Sequence, residues 1–204
     1  MKTIASLLLA IATCTAATAA PLSFDFKDPK GVNNATFKLD APLEAISGSA
    51  NGITGTITFD PANPAATQGR IVIATATLHV PNPTMKEHLH GEQWLNSAVN
   101  KEITFEARTL ANVKTTDDNT SADVTGTLTL NGKTRDVTVP VKFAYLKDKL
   151  AARTNGAMKG DLLVVRASFA IKRSDYGINP KAPEDKVSNT IDLTLSIAGA
   201  APAR

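Results

Sequence analysis

The chain of 204 residues contains one cysteine, Cys14. It falls in an N-terminal stretch that reads as an export leader. Met1 and Lys2 supply a positive end, residues 4–13 an apolar run too short to cross a bilayer, and Ala17-Thr18-Ala19 the small side chains a signal peptidase accepts. Cleavage after Ala19 is expected, because a cut one residue later would put Pro21 at the new N-terminus. The mature chain then has no thiol, which excludes disulfides, thiolate nucleophiles and cysteine-held metals. Aromatic residues make up only 5% of the sequence, so a core or cavity is lined mainly by Val, Ile, Leu and Ala. Charge of either sign is not concentrated: 22 basic against 19 acidic residues leave +3, with no basic run. Nucleic acid and an anionic membrane surface are therefore not expected partners. Beyond the leader no apolar run is long enough for a membrane helix.

Catalytic patterns are also missing. There is no Gly-x-Ser-x-Gly elbow. The carboxylate pairs Asp117-Asp118 and Glu184-Asp185 lie in loop-like, solvated stretches. Three histidines crowd into twelve residues, and His88-Leu89-His90 with Glu87 and Glu92 is the one cluster of metal-ligand type. An extended backbone would put His88 and His90 on one face, as a shared zinc requires. A helix would turn them apart, and a third ligand would have to come from Glu92, His79 or elsewhere. The sequence is read as having no metal, no cofactor and no enzymatic activity.

What the sequence does contain is alternation. Residues 122–143, ADVTGTLTLNGKTRDVTVPVKF, centre on Asn131-Gly132, a dipeptide suited to the two positive φ angles of a type I′ turn. A two-residue turn sets Leu130 opposite Lys133, Gly126 opposite Val137 and Val124 opposite Val139. The apolar residues of both arms then share one face and the threonines pair on the other. The same period of two runs through Leu22, Phe24 and Phe26; Ala35, Phe37 and Leu39; Ile53 to Phe59; and Ile103, Phe105 and Ala107. It returns in Leu163 to Ile171 and in Ile191, Leu193, Leu195 and Ile197. Residues 71–80 read as one extended stretch. Thr84-Met85-Lys86-Glu87 has the form of a capping box and predicts one short helix ended by Gly91. Trp94 and Leu95 after it are either core or a plug for one barrel end. The echo between GTITFDP and GTLTLNG reflects shared strand-and-turn chemistry and not a repeat. Eight to ten strands that alternate this regularly form one domain, a sandwich or a closed barrel.

Several pieces in this order resemble the YceI-like family. They are Gly55-Thr56-Ile57 leading to Phe59-Asp60-Pro61, Met85 with His88-Leu89, Ile103-Thr104-Phe105, residues 126–132 and above all residues 169–177, FAIKRSDYG. The match covers roughly residues 48–197, while the N-terminal FDFKDPKGVNNATFKLD departs from the family pattern. The resemblance implies an all-β, antiparallel, lipocalin-like β-barrel of about eight strands with one short helix, in residues 20–198 behind a signal peptide of residues 1–19. Residues 199–204 read as a flexible tail. It also implies a polyisoprenoid lipid or isoprenoid quinone held in an apolar cavity, stored or transported in the bacterial periplasm. The lining expected for that cavity is Val124, Leu128, Leu130, Val137, Val139, Val141, Phe143, Val165, Phe169, Leu193 and Leu195. Arg173, Asp175 and Tyr176 are either a polar rim for the lipid head group or an Arg–Asp pair with a Tyr-Gly turn stapling a long loop. A filled barrel, acting as a periplasmic interaction or stress-response protein without a lipid, is the alternative. A homodimer through an edge strand stays open.

Overall fold

The computed structural model describes residues 20–203, so the leader reading lies outside the described residues. Ten strands form a single antiparallel sheet: β1 (Leu22–Asp25), β2 (Asn34–Asp40), β3 (Ala45–Ala50), β4 (Ile53–Phe59), β5 (Gln68–Ala74), β6 (Glu102–Thr116), β7 (Asn119–Leu130), β8 (Lys133–Leu146), β9 (Gly160–Lys172) and β10 (Thr190–Pro202). They make a closed barrel of eight staves, because two staves are broken strands. β1 and β2 lie one after the other along β10, with Asp25 opposite Ala200 and Asn34 opposite Ser196. β3 and β4 continue the second stave, β3 against β2 and β4 against β1. The remaining six are hairpin neighbours in chain order, so the barrel closes without a crossover.

The break in the first stave is repaired by side chains. Where β1 has ended and β2 not begun, the buried amide of Asn33 donates to the carbonyls of Phe26 (3.1 Å) and Ala198 (3.2 Å). Its Oδ1 accepts from the Ala198 N–H (2.9 Å). One amide thus stands in for the missing ladder rung on β10. Asp28 holds the loop around it, accepting from the backbone N–H groups of Val32 and Asn33 at 2.6 Å each, with Arg153 3.4 Å away. This is the N-terminal stretch that the sequence reading set apart from the family pattern.

The central hairpin has the expected register at all three pairs. Asn131 (φ 50°) and Gly132 (φ 69°) supply the turn, and Thr125–Thr138 and Thr129–Thr134 pair on the outer face at 2.8 Å. Gly126 faces inward on β7, where a Cβ would run into the Glu106 carbonyl of β6, so the strands approach closely there.

Four local expectations are corrected. Helix α1 (Pro83–His90) is capped by Asn82, whose side chain accepts from Met85 N (3.0 Å); Pro83 fills the first turn, so the helix starts ahead of Thr84. Residues 71–80 are not one strand: β5 ends at Ala74 and a 3₁₀ turn (Thr75–Thr77) follows, after which His79 makes a bridge to Ser49 of β3. A second short helix, α2 (Leu150–Arg153), occupies part of the charged connection after β8. The C-terminal tail is not frayed through residue 202, because β10 stays paired to β9 as far as Pro202 opposite Gly160.

Candidate functional site: an apolar cavity with a polar mouth

Inward-facing residues of the staves leave a cavity of about 340 Å³ inside the barrel, within the range of roughly 300–1,000 Å³ usual for small-molecule sites. Its floor is aromatic. Phe143 faces the cavity and stacks on Phe59 (centroids 5.8 Å apart), which in turn lies against Tyr145 (6.2 Å), itself edge-on to Phe24 (6.3 Å). The Tyr145 hydroxyl donates to Asp161 (2.7 Å), and burial with that carboxylate raises its pKa well above the ordinary phenol range.

Ten of the eleven residues expected from sequence line this space: Val124, Leu128, Leu130, Val139, Val141, Phe143, Val165, Phe169, Leu193 and Leu195. Val137 does not. It is half-buried and packs between the two apolar clusters that surround the cavity. The lining further includes Phe37 and Leu39 of β2, Ile57 of β4 and Ile103 and Phe105 of β6, all of which sit on alternating faces legible in the sequence. Ile46 of β3 was not legible, because Ala-Ile-Ser-Gly-Ser-Ala has too few large residues to show a period.

The mouth is built from α1, the segment that follows it, the β2–β3 turn and the long loop after β9. Met85, His88 and Leu89 of α1 line it with Trp94, Glu44 and Val187. No residue of α1 is buried. Its C-terminal end is fixed by His90, whose Nε2–H donates to the Leu78 carbonyl (3.0 Å), leaving Nδ1 to accept from Ser97 Oγ (2.8 Å). Both ring nitrogens of His90 are therefore engaged, while His88 is exposed at the rim. Among the described residues no three His, Cys, Asp or Glu side chains come together as a metal would need. Asn131 of the central turn reaches the same end, donating to the Tyr176 carbonyl (3.1 Å) and accepting from Asn100 (2.8 Å).

Arg173 organises the long loop, though not by the pairing the sequence suggested. It is 1% exposed. Nε–H donates to the Ser188 carbonyl (3.4 Å), Nη1 to Ile178 (2.8 Å) and Asn179, and Nη2 to Val187 (3.3 Å) and Ala182 (3.5 Å). All five guanidinium N–H groups thus meet main-chain oxygens. Its Cζ lies 5.9 Å from the centroid of the Trp94 ring, within cation–π range. Burial lowers its pKa, and Glu184 opposes that shift. Asp175 is exposed and makes no pair with it, so the Arg–Asp staple is replaced by an Arg–carbonyl one. Tyr176 is buried under the loop, with its pKa raised by burial and by Asp175. Among the described residues its hydroxyl has no partner, and the side chain does not line the cavity. Of the three rim candidates only Arg173 reaches the cavity.

The sequence matches the model of the YceI-like domain over residues 24–199. The chain belongs to the YceI-like family. A UPF0312 protein of Pseudomonas paraeruginosa is 32% identical over 201 residues, 97% of each chain. Burkholderia cenocepacia BcnA superposes with a TM-score of 0.65 at 19% identity, covering 81% of this chain and 95% of that one. A domain of Saccharophagus degradans described as polyisoprenoid-binding and implicated in plant cell wall breakdown superposes at 0.63 with 13% identity, covering 89% and 99%. These two likenesses establish the barrel. The YceI-like cavity of this chain is defined by its own residues, and no helix among the described residues is long and apolar enough to cross a membrane.

Proposed function

We propose that this YceI-like barrel stores or carries a polyisoprenoid lipid or isoprenoid quinone in the periplasm, with the prenyl chain inside the cavity. The observation that carries the reading is the lining. From Phe143 at the floor to Leu89 at the mouth the walls are aliphatic and aromatic, and the charged lining side chains, Glu44 and Arg173, sit at the mouth. Such a surface holds a hydrocarbon by burial alone, worth about 25 cal/mol per Å² of apolar area removed from water. The use that such a surface suggests is binding. The polyisoprenoid-binding domain that shares the fold supports the same class of ligand. Periplasmic residence is inferred from the leader of residues 1–19.

Native mass spectrometry of the mature protein purified from its own host tests this reading. A stoichiometric prenyl lipid or quinone is the expected result. A bare protein that also takes up no prenyl lipid on titration would replace it with the alternative, a barrel that acts through its outer surface.

A further inference from the structure

Three cations on the outer face of the barrel are answered by carboxylates: Lys38 lies 2.7 Å from Asp40, Arg70 3.0 Å from Glu106 and Arg108 3.1 Å from Asp136. One row of the same face departs from this. Strand register sets Lys114 of β6 opposite Ser121 of β7, Ser121 opposite Lys142 of β8, and Lys142 opposite Arg166 of β9. Residues directly opposite in an antiparallel sheet share a side, and all four are exposed. Among the described residues none of the three cations forms an ion pair. Arg166 donates to Ser196 Oγ, which continues the row on β10. Like charges directly across a strand pair destabilise a sheet, so Lys142 beside Arg166 works against the fold. Such local conflicts gather at functional sites. No basic run marks these residues in the sequence, because only the register brings positions 114, 142 and 166 together.

The same row lines a depression of about 210 Å³ on the outer wall, where Lys114, Ser121 and Lys142 meet Asn112, Asp123 and Pro140. It lies beside a bulge in β6 between Ala111 and Lys114, with Asn112 at φ 53°. Asp123 is the one acid in the lining, and its Oδ2 accepts from Asn112 Nδ2 (2.7 Å). Strands are about 4.8 Å apart, so the backbones of the two lysines flank Ser121 at roughly 10 Å from each other. That is close enough for both ammonium groups to converge above its hydroxyl.

We propose that this row binds a phosphate group carrying two negative charges, held over the Ser121 hydroxyl by Lys114 and Lys142 with Arg166 alongside. Each ammonium supplies charge-assisted hydrogen bonds to a phosphate oxygen, and the hydroxyl supplies one more donor. Two charges match the surplus of the row, three cations against the carboxylate of Asp123. Free phosphate and the phosphate of a lipid head group share this chemistry. The site lies on the outside of the wall, so it is independent of what the cavity holds.

The test is an NMR titration of the isotope-labelled mature protein with sodium phosphate at about pH 8, where phosphate is doubly charged, at an ionic strength held constant with chloride. Saturable amide shifts confined to residues 112–123, 140–143 and 166 are expected. Lys114→Gln and Lys142→Gln should each weaken binding about three- to fivefold, and Asp123→Asn should tighten it to a similar degree. Lys142→Gln also relieves a like-charge pair, so its denaturant midpoint should stay level or rise. A fall would make the lysine a structural residue and overturn the proposal. Shifts that never saturate and spread to exposed lysines elsewhere, such as Lys86 and Lys181, overturn it as well. Sedimentation with phosphatidylcholine vesicles, with and without phosphatidic acid, then assigns the source. Capture by the phosphatidic acid vesicles that is lost in Lys142→Gln makes it a lipid head group. A saturable phosphate shift without capture makes it free phosphate.

Discussion

At the floor of the barrel, rings and hydrogen bonds fill the space: Phe59 lies between Phe143 and Tyr145, Tyr145 is tied to Asp161, and Asp28 and Asn33 close the broken stave. At the mouth, no residue of α1 is fully buried, although Leu89 packs against the apolar cluster at that end, and a single guanidinium gathers the loop. The two ends divide the work. Tight packing at one fixes the barrel, and the largely exposed helix at the other leaves a surface that can meet a ligand. Regions with few buried contacts open at lower free-energy cost than a packed core.

That contrast can be broken from the floor first. Phe59→Ala should cost about 3–5 kcal/mol of unfolding free energy, as large-to-small changes of buried aromatics do, while lipid affinity stays near wild type in the folded fraction. Chemical denaturation beside a lipid titration checks both. Arg173→Ala is the matching lesion at the mouth. It leaves five carbonyls without their donor and should cost about 3 kcal/mol, with faster hydrogen exchange confined to residues 177–189; exchange rising equally at the floor would contradict the division. Asp28→Asn should cost on the order of 2 kcal/mol at neutral pH. Burial raises the Asp28 pKa, but the N–H groups of Asn33, Val32 and Lys30 together with Arg153 more than offset it, so its value is lowered. A lowered carboxyl contributes stability above its unfolded value of about 4 and loses it as pH falls through the folded value. The gap between wild type and Asp28→Asn should therefore shrink below about pH 4, measured by denaturant midpoints across an acid series. The smallest stability effect is expected from Leu193→Ala on the cavity wall, below about 2 kcal/mol because the side chain is only half-buried. Its lipid affinity should nevertheless weaken measurably, and a loss as large as that of Phe59→Ala would mean the wall is packed solid.

The barrel was legible wherever a large apolar residue recurred at every second position. The Asn131-Gly132 hairpin, β9 and β10 carry that signal without interruption, and their inward residues are the same ones that face the cavity. β3 carried none, and its small side chains hid both a strand and one side of the mouth. Helix α1 was placed but started too late, because Thr-x-x-Glu competes with Asn-Pro as a start signal and proline at the first turn decides it. The role of Arg173 could not be read at all. Its neighbour Asp175 suggested a salt bridge, whereas its actual partners are carbonyls up to fifteen residues away, which carry no side-chain signature. The break at Asn33 was hidden for the same reason, since its partner Ala198 lies 165 positions along the chain.

The way Arg173 holds its loop has a consequence for how such a barrel changes over generations. Every oxygen it grips belongs to the main chain, and every residue type supplies that oxygen. Exposed positions of that loop, such as Lys181, Glu184 and Lys186, can therefore change without touching the grip, while Gly177 at φ 65° and the buried Ile178 stay constrained. One buried cation thus lets the outer rim vary while the loop beneath it keeps its course.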